Sequence, residues 1–119
     1  MAWNFDNHRS IYLQLVEQIT LRILNGTYPL SGKLPSVREL ATEAGVNPNT
    51  MQKALTELER KELVHSQRTN GRFVTDKKET IMSMKDELAK QILEQFLAQM
   101  LELGYTREYI LQLIQKEGQ

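Results

Sequence analysis

The sequence predicts a mainly α-helical protein that also contains one small β-hairpin. Apolar residues recur at helical spacing over most of its 119 residues. A serine, threonine or asparagine that can begin a helix stands just ahead of four of these periodic segments. An Asn-Gly pair lies between two short strand-like segments in the middle of the chain. Together these observations indicate five helices and two strands.

The first helix is predicted over residues 10–25, where isoleucine and leucine recur on one face. Ser10 can cap its start, and Asn25-Gly26 ends it, as glycine often does at the end of a helix. A loop rich in proline, glycine and serine follows and leads to the second helix.

The second predicted helix is short and covers residues 36–44. Ser36 is followed three residues later by Glu39, which forms a capping box in which two otherwise unpaired backbone donors are satisfied. The helix is expected to stop at Gly45. After it, Asn47 is a good N-cap and Pro48 fits the first helical position, so a third helix is expected over about residues 48–62.

Two short strands are predicted next, over residues 63–67 and 72–75, with a turn at residues 68–71. The turn contains Asn70-Gly71, and Asn-Gly is the strongest short signal for a hairpin. Three helices followed by a β-hairpin are the layout of a winged helix-turn-helix. We therefore expect a DNA-binding domain of this kind over residues 1–76.

In a helix-turn-helix the second helix lies in the major groove of DNA, and its N-terminal residues meet the bases. Asparagine and glutamine amides there can pair with adenine, and threonine can contact a phosphate or a thymine methyl group. A tight basic hairpin can enter the adjacent minor groove. The candidate DNA-binding residues are Ser36, Arg38, Asn47, Asn49, Thr50, Gln52, Lys53, Arg68, Asn70, Gly71 and Arg72, with Lys33 as a further candidate for phosphate contact.

Plainer interpretations of these residues stay open. Ser36 and Asn47 can be helix caps and nothing more, and Arg68 and Arg72 can be solvated hairpin charges. Winged helices also serve as protein-interaction modules that do not bind DNA. An acidic recognition helix would favour such a module, whereas this helix opens without charge and carries Lys53.

The charge balance does not by itself indicate a nucleic-acid partner. Lys+Arg and Asp+Glu both total 15, so the net charge is zero. A DNA-binding face must therefore come from local clustering of basic residues, with the acidic residues facing elsewhere.

The sequence carries no pattern typical of an enzyme, and we expect none, nor any cofactor or metal. It has no cysteine, which excludes disulfides, thiol catalysis and thiolate metal sites. Its two histidines, His8 and His65, lie in no metal-binding or nucleophile pattern. No apolar run approaches the length that spans a bilayer, and the N-terminus lacks signal-peptide features. We therefore expect a cytoplasmic protein with no membrane partner.

Two more helices are predicted over residues 79–103 and 107–117, with Thr106 as a cap for the second. The apolar stripe of the longer helix is wide for one small domain, and exposed stripes of this size usually mark a partner surface. The alternative is an intramolecular helical hairpin that covers the stripe. We favour a symmetric homodimer through residues 77–119, because two-fold dimers are the commonest assembly and a palindromic operator requires one. The candidate dimerisation residues are Met84, Leu88, Ile92, Phe96, Met100 and Leu103.

The chain resembles the GntR family of bacterial regulators at these motifs. The resemblance rests on residues 34–41, which are LPSVRELA, on Gly45-Val46-Asn47, on Asn49-Thr50-Met51 and on Phe73-Val74, and it covers about residues 10–75. The short two-helix tail resembles the YtrA-type branch of that family. The resemblance implies a homodimeric repressor that binds operator DNA and is often encoded beside transporter genes. Whether a small-molecule effector also binds stays open.

The resemblance also carries residue roles over by position. The family's DNA contacts fall on Arg38, Asn47, Asn49, Thr50, Gln52, Asn70 and Gly71. The chain departs from the family pattern at two places. Many members have arginine where this chain has Gln52, which affects one base preference. Arg72 replaces the usual small threonine of the wing, and we expect it to add a minor-groove or phosphate contact.

Overall fold

The computed structural model describes residues 2–118 and confirms a mainly helical fold, a winged helix-turn-helix followed by C-terminal helices. Within this part of the chain there are five α-helices and one two-stranded antiparallel sheet. The elements are α1 (Ile11–Leu24), α2 (Val37–Ala44), α3 (Pro48–Arg60), β1 (Val64–Ser66), β2 (Arg72–Val74), α4 (Lys78–Glu102) and α5 (Arg107–Glu117). The chain forms two compact units that divide within α4, between Ser83 and Met84.

Side-chain caps begin the helices where the sequence predicts them. A side-chain oxygen accepts a backbone N–H at the start of four helices, and the capping residues are Ser10, Ser36, Asn47 and Thr106. The α2 helix ends at Gly45, whose φ is +70°. The α3 helix ends at Arg60, two residues earlier than expected, because Glu62 adopts a φ of +63° and turns the chain out of the helix.

The core of the N-terminal unit forms around α3, which packs against α1, α2 and β1. Leucine, isoleucine and methionine side chains fill it in the periodic positions that the sequence indicates. Its most completely buried large members are Leu15, Ile19, Leu40, Met51, Leu55, Leu58 and Leu63. One face of α3 packs into this core, and its opposite face is exposed to solvent.

An extended segment ahead of α1 runs along the helix, a feature that the sequence did not predict. Gln14 holds its end: the Asp6 N–H donates to Gln14 Oε1 at 2.6 Å, and Gln14 Nε2 donates to the Asp6 carbonyl at 2.8 Å. One turn later, Gln18 Nε2 donates to the Asn4 carbonyl at 2.6 Å. A helical turn and two extended residues each advance about 6 Å, so the two spacings match.

Arg22 completes this contact one further turn along α1. Its guanidinium donates to the Ala2 carbonyl at 3.2 Å and lies 3.6 Å from the centre of the Trp3 ring. Gln14 and Arg22 are buried although both are polar, since they hold the segment's backbone. We call residues 2–6 with these contacts the N-terminal strap.

The hairpin pairs Val64 with Val74, His65 with Phe73 and Ser66 with Arg72. Its connection is a short 3₁₀ turn, Arg68–Asn70, followed by Gly71. The Gln67 N–H donates to the Gly71 carbonyl at 2.8 Å and the Asn70 N–H donates to the Gln67 carbonyl at 2.7 Å. The turn therefore lies where Asn70-Gly71 predicts it, but it is longer than a two-residue Asn-Gly turn. We call residues 67–71 the wing loop.

Candidate nucleic-acid interface

The α2 and α3 helices are joined by a tight turn, and this turn sets how α3 is presented. The Val46 N–H donates to the Ala41 carbonyl at 3.0 Å, which folds the chain back at the end of α2. Asn47 then begins α3, its Oδ1 accepting the Asn49 N–H at 2.7 Å. The two helices and the turn form a helix-turn-helix, with α3 in the place of the recognition helix.

The open face of α3 carries short polar side chains and one lysine in its first half. Asn49, Gln52 and Lys53 are exposed, and Thr50 is half-buried. Gln52, Lys53 and Thr56 line a shallow cleft together with Tyr12 of α1. Amide, hydroxyl and ammonium groups on one open face can donate to phosphates and base edges, and the amides and hydroxyl can also accept from base edges.

The start of α2 is held by its capping box. Ser36 Oγ accepts the Glu39 N–H at 3.1 Å, and Glu39 Oε1 accepts the Ser36 N–H at 3.0 Å. The bond from the Ser36 backbone, and then that from its hydroxyl, hold the pKa of Glu39 below its usual range. Ser36 is therefore a confirmed cap, and its hydroxyl oxygen already accepts a hydrogen bond. Arg38, the second residue of α2, is exposed.

The wing loop faces the start of α2 across a cleft of about 310 Å³. Lys33, Ser36, Thr69 and Gly71 are among its lining residues. Gly71 has a φ of +95°, a conformation that favours glycine, and a Cβ there would lie 3.2 Å from Lys33 Cε. The structure thus places Lys33 beside the wing loop.

The Arg72 side chain of the wing has a partner in another element. Its Nε donates to Glu59 Oε1 of α3 at 2.5 Å, and 18% of the side chain is exposed. Arg68 and Asn70, in contrast, are exposed on the wing loop. The expected DNA contact by Arg72 stays a prediction. To make that contact, the guanidinium would have to leave its ion pair with Glu59.

Sequence reasoning missed three parts of this region. Glu59 and Ser66 were not candidates, although Glu59 binds Ser66 and Arg72 of the wing, because these residues are distant in sequence. Tyr12 was not a candidate either, since nothing in its spacing indicates the cleft beside α3. Thr56 lies on the same open face as Gln52, one turn later, and helical periodicity alone would have found it.

Two further observations concern the part of the chain that the structure describes. Over residues 2–118 no three His, Cys, Asp or Glu side chains converge in a way that could hold a metal ion. In the same range no helix is long and apolar enough to cross a membrane.

Two regulators of Bacillus subtilis are similar to this chain in sequence. The regulator YhcF of Bacillus subtilis strain 168, named as an uncharacterized HTH-type transcriptional regulator, is 42% identical over 108 residues, 91% of this chain and 89% of the relative. The HTH-type transcriptional repressor YtrA of the same organism is 39% identical over 88 residues, 73% of this chain and 68% of the relative.

Solved structures share the fold. A GntR family transcriptional regulator from Listeria monocytogenes has a TM-score of 0.88 at 41% identity, and the match covers 94% of this chain and 98% of that one. The DNA-binding domain of AraR in complex with operator ORX1 has a TM-score of 0.54 at 30% identity, and the match covers 60% of this chain and 93% of that one.

The family model of the GntR bacterial regulatory proteins matches residues 11–74, from the start of α1 to the end of β2. This match takes in more than half of the chain, and the relatives are similar beyond it. The chain therefore belongs to the GntR family and is a transcriptional regulator with that family's DNA-binding domain.

Proposed function

We propose that this protein is a transcriptional repressor that binds a palindromic operator as a homodimer, with residues 1–76 contacting DNA and residues 77–119 forming the dimer. One observation carries the DNA-binding part. The α3 helix buries Met51, Leu55 and Leu58 and leaves Asn49, Gln52 and Lys53 exposed. A helix held in this way can enter a major groove without losing its own core contacts.

The AraR complex supports operator binding, since that relative of the fold is seen on operator DNA. The similarity to YtrA, which is named a repressor, supports repression over activation. The resemblance to the YtrA-type branch extends the proposal to transporter genes as targets. Such a regulator acts in the cytoplasm, where the chromosome lies.

The homodimer is supported by apolar side chains that the single chain leaves open. In the C-terminal unit, Ile92 is 66% exposed and Leu103 is 72% exposed. Contiguous exposed apolar surface on a small protein usually marks an interface. A two-fold dimer would present two α3 helices to two half-sites, which makes the operator palindromic.

Selection from random duplex DNA tests the proposal directly. We expect the protein to enrich an inverted repeat, because each subunit of a symmetric dimer reads one half-site. A titration of the selected duplex at increasing salt should show affinity falling steeply, since phosphate contacts release counterions. Binding without sequence enrichment, or enrichment of a single unpaired half-site, would contradict the proposal.

Substitutions on the proposed interface sharpen the test. We expect Arg38→Ala and Gln52→Ala each to weaken binding to the selected duplex by about tenfold, as the loss of one specific contact does. Lys90→Ala is the control, because Lys90 is exposed on α4 in the C-terminal unit and belongs to no part of the helix-turn-helix. Equal losses in all three variants would assign the effect to a general loss of folding or affinity rather than to the interface.

A further inference from the structure

One carboxylate of the recognition helix binds both strands of the wing. Glu59 lies near the C-terminal end of α3, and its Oε1 accepts from Arg72 Nε at 2.5 Å and from Ser66 Oγ at 2.7 Å. Ser66 belongs to β1 and Arg72 to β2. A single side chain therefore ties the whole hairpin, and not one strand of it, to α3.

The contact lies at the base of the wing loop. Ser66 and Arg72 face each other directly in the strand register, and they are the last pair before the loop begins. Directly paired residues of antiparallel strands have their side chains on the same face. Both side chains therefore lie on the face of the hairpin that meets α3.

The backbone of β2 is held from its other edge at the same position. The Leu34 N–H donates to the Arg72 carbonyl at 2.9 Å, and Lys33 forms a bridge with Phe73. Arg72 is thus fixed through its backbone by the loop ahead of α2 and through its side chain by α3. The base of the wing loop is therefore anchored on two sides.

We propose that Glu59, Ser66 and Arg72 form a brace that sets the position of the wing loop relative to α3, and that Arg72 is a positioning residue rather than a DNA ligand. The proposal rests on the proposed function, in which α3 enters the major groove, and on the expectation that the wing loop enters the adjacent minor groove. Fixing one to the other before DNA arrives removes an ordering cost from binding.

The burial of the pair supports this role. The Arg72 side chain is 18% exposed and the Glu59 side chain 30%. If Arg72 turned toward DNA, it would leave a partly buried carboxylate without its charged partner. Breaking such a pair is costly because the remaining charge is poorly solvated.

Binding measurements on single variants separate a brace from a direct contact. If Glu59 braces the wing, Glu59→Ala should weaken operator binding by about tenfold, the loss expected for hydrogen bonds to a charged group. If Arg72 contacts DNA, Glu59→Ala should leave binding unchanged or tighten it, because it removes a negative charge and releases Arg72. Unchanged or tighter binding overturns the proposal.

The matched control is Glu57→Ala. Glu57 lies on the same helix and is paired with Arg60 three residues away, not with the wing. This variant removes the same charge from α3 but leaves the brace intact, so we expect its operator affinity to stay within about twofold of wild type.

The salt dependence of operator binding by Arg72→Ala is a second test of the proposal. A positioning residue should lower affinity and leave the slope of log affinity against log salt unchanged. A phosphate ligand should reduce that slope by about one. The double variant Glu59→Ala/Arg72→Ala should be no weaker than either single variant, because both remove the same brace. A slope reduced by one, or additive losses, would overturn the proposal.

Amide hydrogen exchange in the DNA-free protein tests the brace independently of DNA binding. The Asn70 and Gln67 amides are hydrogen-bonded within the wing loop, and their exchange with deuterium reports how often the loop opens. We expect at least about fivefold faster exchange in Glu59→Ala and Ser66→Ala, and no change in Glu57→Ala. If Arg72→Ala does not fold, Ser66→Ala still tests the brace, because it removes another contact to Glu59.

Operator binding and loop exchange together distinguish failure of the proposed function from failure of the brace. If wild-type protein does not bind duplex DNA, the proposed function fails while loop exchange still decides whether the brace exists. If wild type binds its operator and loop exchange is the same in all variants, the brace is rejected and the proposed function stands.

Discussion

Glu62 shows how one residue can carry strain at the edge of the site. It is exposed and directly follows α3 and its cap, and its φ is +63°. This left-handed conformation costs a residue with a Cβ about 1 kcal/mol, whereas glycine adopts it freely. The turn is still required, because Leu63 must enter the core next, where it is completely buried.

We expect Glu62→Gly to raise the free energy of unfolding by about 0.5–1 kcal/mol, the relief of strain less the larger entropy of an unfolded glycine. The neighbouring Lys61→Gly is the control and should destabilise, because Lys61 has a φ of −80° that any residue adopts. Urea denaturation measures both. A Glu62→Gly protein no more stable than wild type would show that the turn is unstrained.

The ionisation of Glu59 makes the stability of the fold depend on pH. Burial raises the pKa of Glu59, but the bonds from Ser66 and Arg72 outweigh it and leave the pKa below its usual value of about 4.5. A group whose pKa is lower in the folded protein stabilises the fold above its unfolded pKa. That contribution is lost as the pH falls through the folded value.

The stability difference between wild type and Glu59→Ala should therefore be present at neutral pH and vanish below the folded pKa of Glu59. Chemical denaturation of both proteins at a series of pH values from 7 into the acid range measures it, with Glu57→Ala compared in the same way. A difference that does not shrink as the pH falls would mean that Glu59 stabilises the fold through packing and not through its charge.

At the scale of elements, the N-terminal strap is a contact between a helix and an extended segment. It joins residues 2–6 to one face of α1 through backbone carbonyls, so it depends little on the side chains of the segment itself. Trp3 is the exception, since its ring stacks under the Arg22 guanidinium at 3.6 Å and lies 6.5 Å from the Phe5 ring.

We expect Trp3→Ala to lower the free energy of unfolding by about 1–2 kcal/mol through loss of the cation–π contact and of ring burial. Asn4→Ala is the matched control: Asn4 contributes its backbone carbonyl to Gln18, and that bond survives truncation. Thermal unfolding followed by circular dichroism compares them. Equal melting temperatures for the two variants would show that the strap stabilises through its backbone alone.

At the scale of the whole molecule, the proposed homodimer depends on the C-terminal helices. Within that unit Ile110 is buried, with 1% of its surface exposed, while Leu88 and Ile92 of α4 are open to solvent. A polar substitution at an open position leaves the single chain's own packing intact, so it tests assembly more cleanly than one in the core.

We expect Ile92→Asp to give a monomer by sedimentation and to weaken operator binding by at least about a hundredfold, because linked half-sites gain that much over separate ones. Leu88→Asp should behave alike. Gln91→Asp is the control, since Gln91 is exposed beside Ile92 and gains the same charge. A dimeric Ile92→Asp protein would place the interface elsewhere.

The sequence predicts what is local. The start of α2 at Ser36 and of α3 at Asn47 follows from caps a few residues long, and the apolar period of α3 predicts which of its faces is buried. Its polar face, with Gln52 and Lys53, follows from the same period. The site could be predicted to this extent because each signal lies within one or two helical turns.

Only the tertiary structure decided what joins distant segments. The sequence by itself determined the order of elements, the caps and the recognition helix, since backbone hydrogen bonds and helical periodicity are local. It could not show that Arg72 binds Glu59, 13 residues away, or that Gln14 and Arg22 hold the N-terminal strap. Those partners meet because packing of α3 and α1 brings them together, and no spacing along the chain encodes that approach.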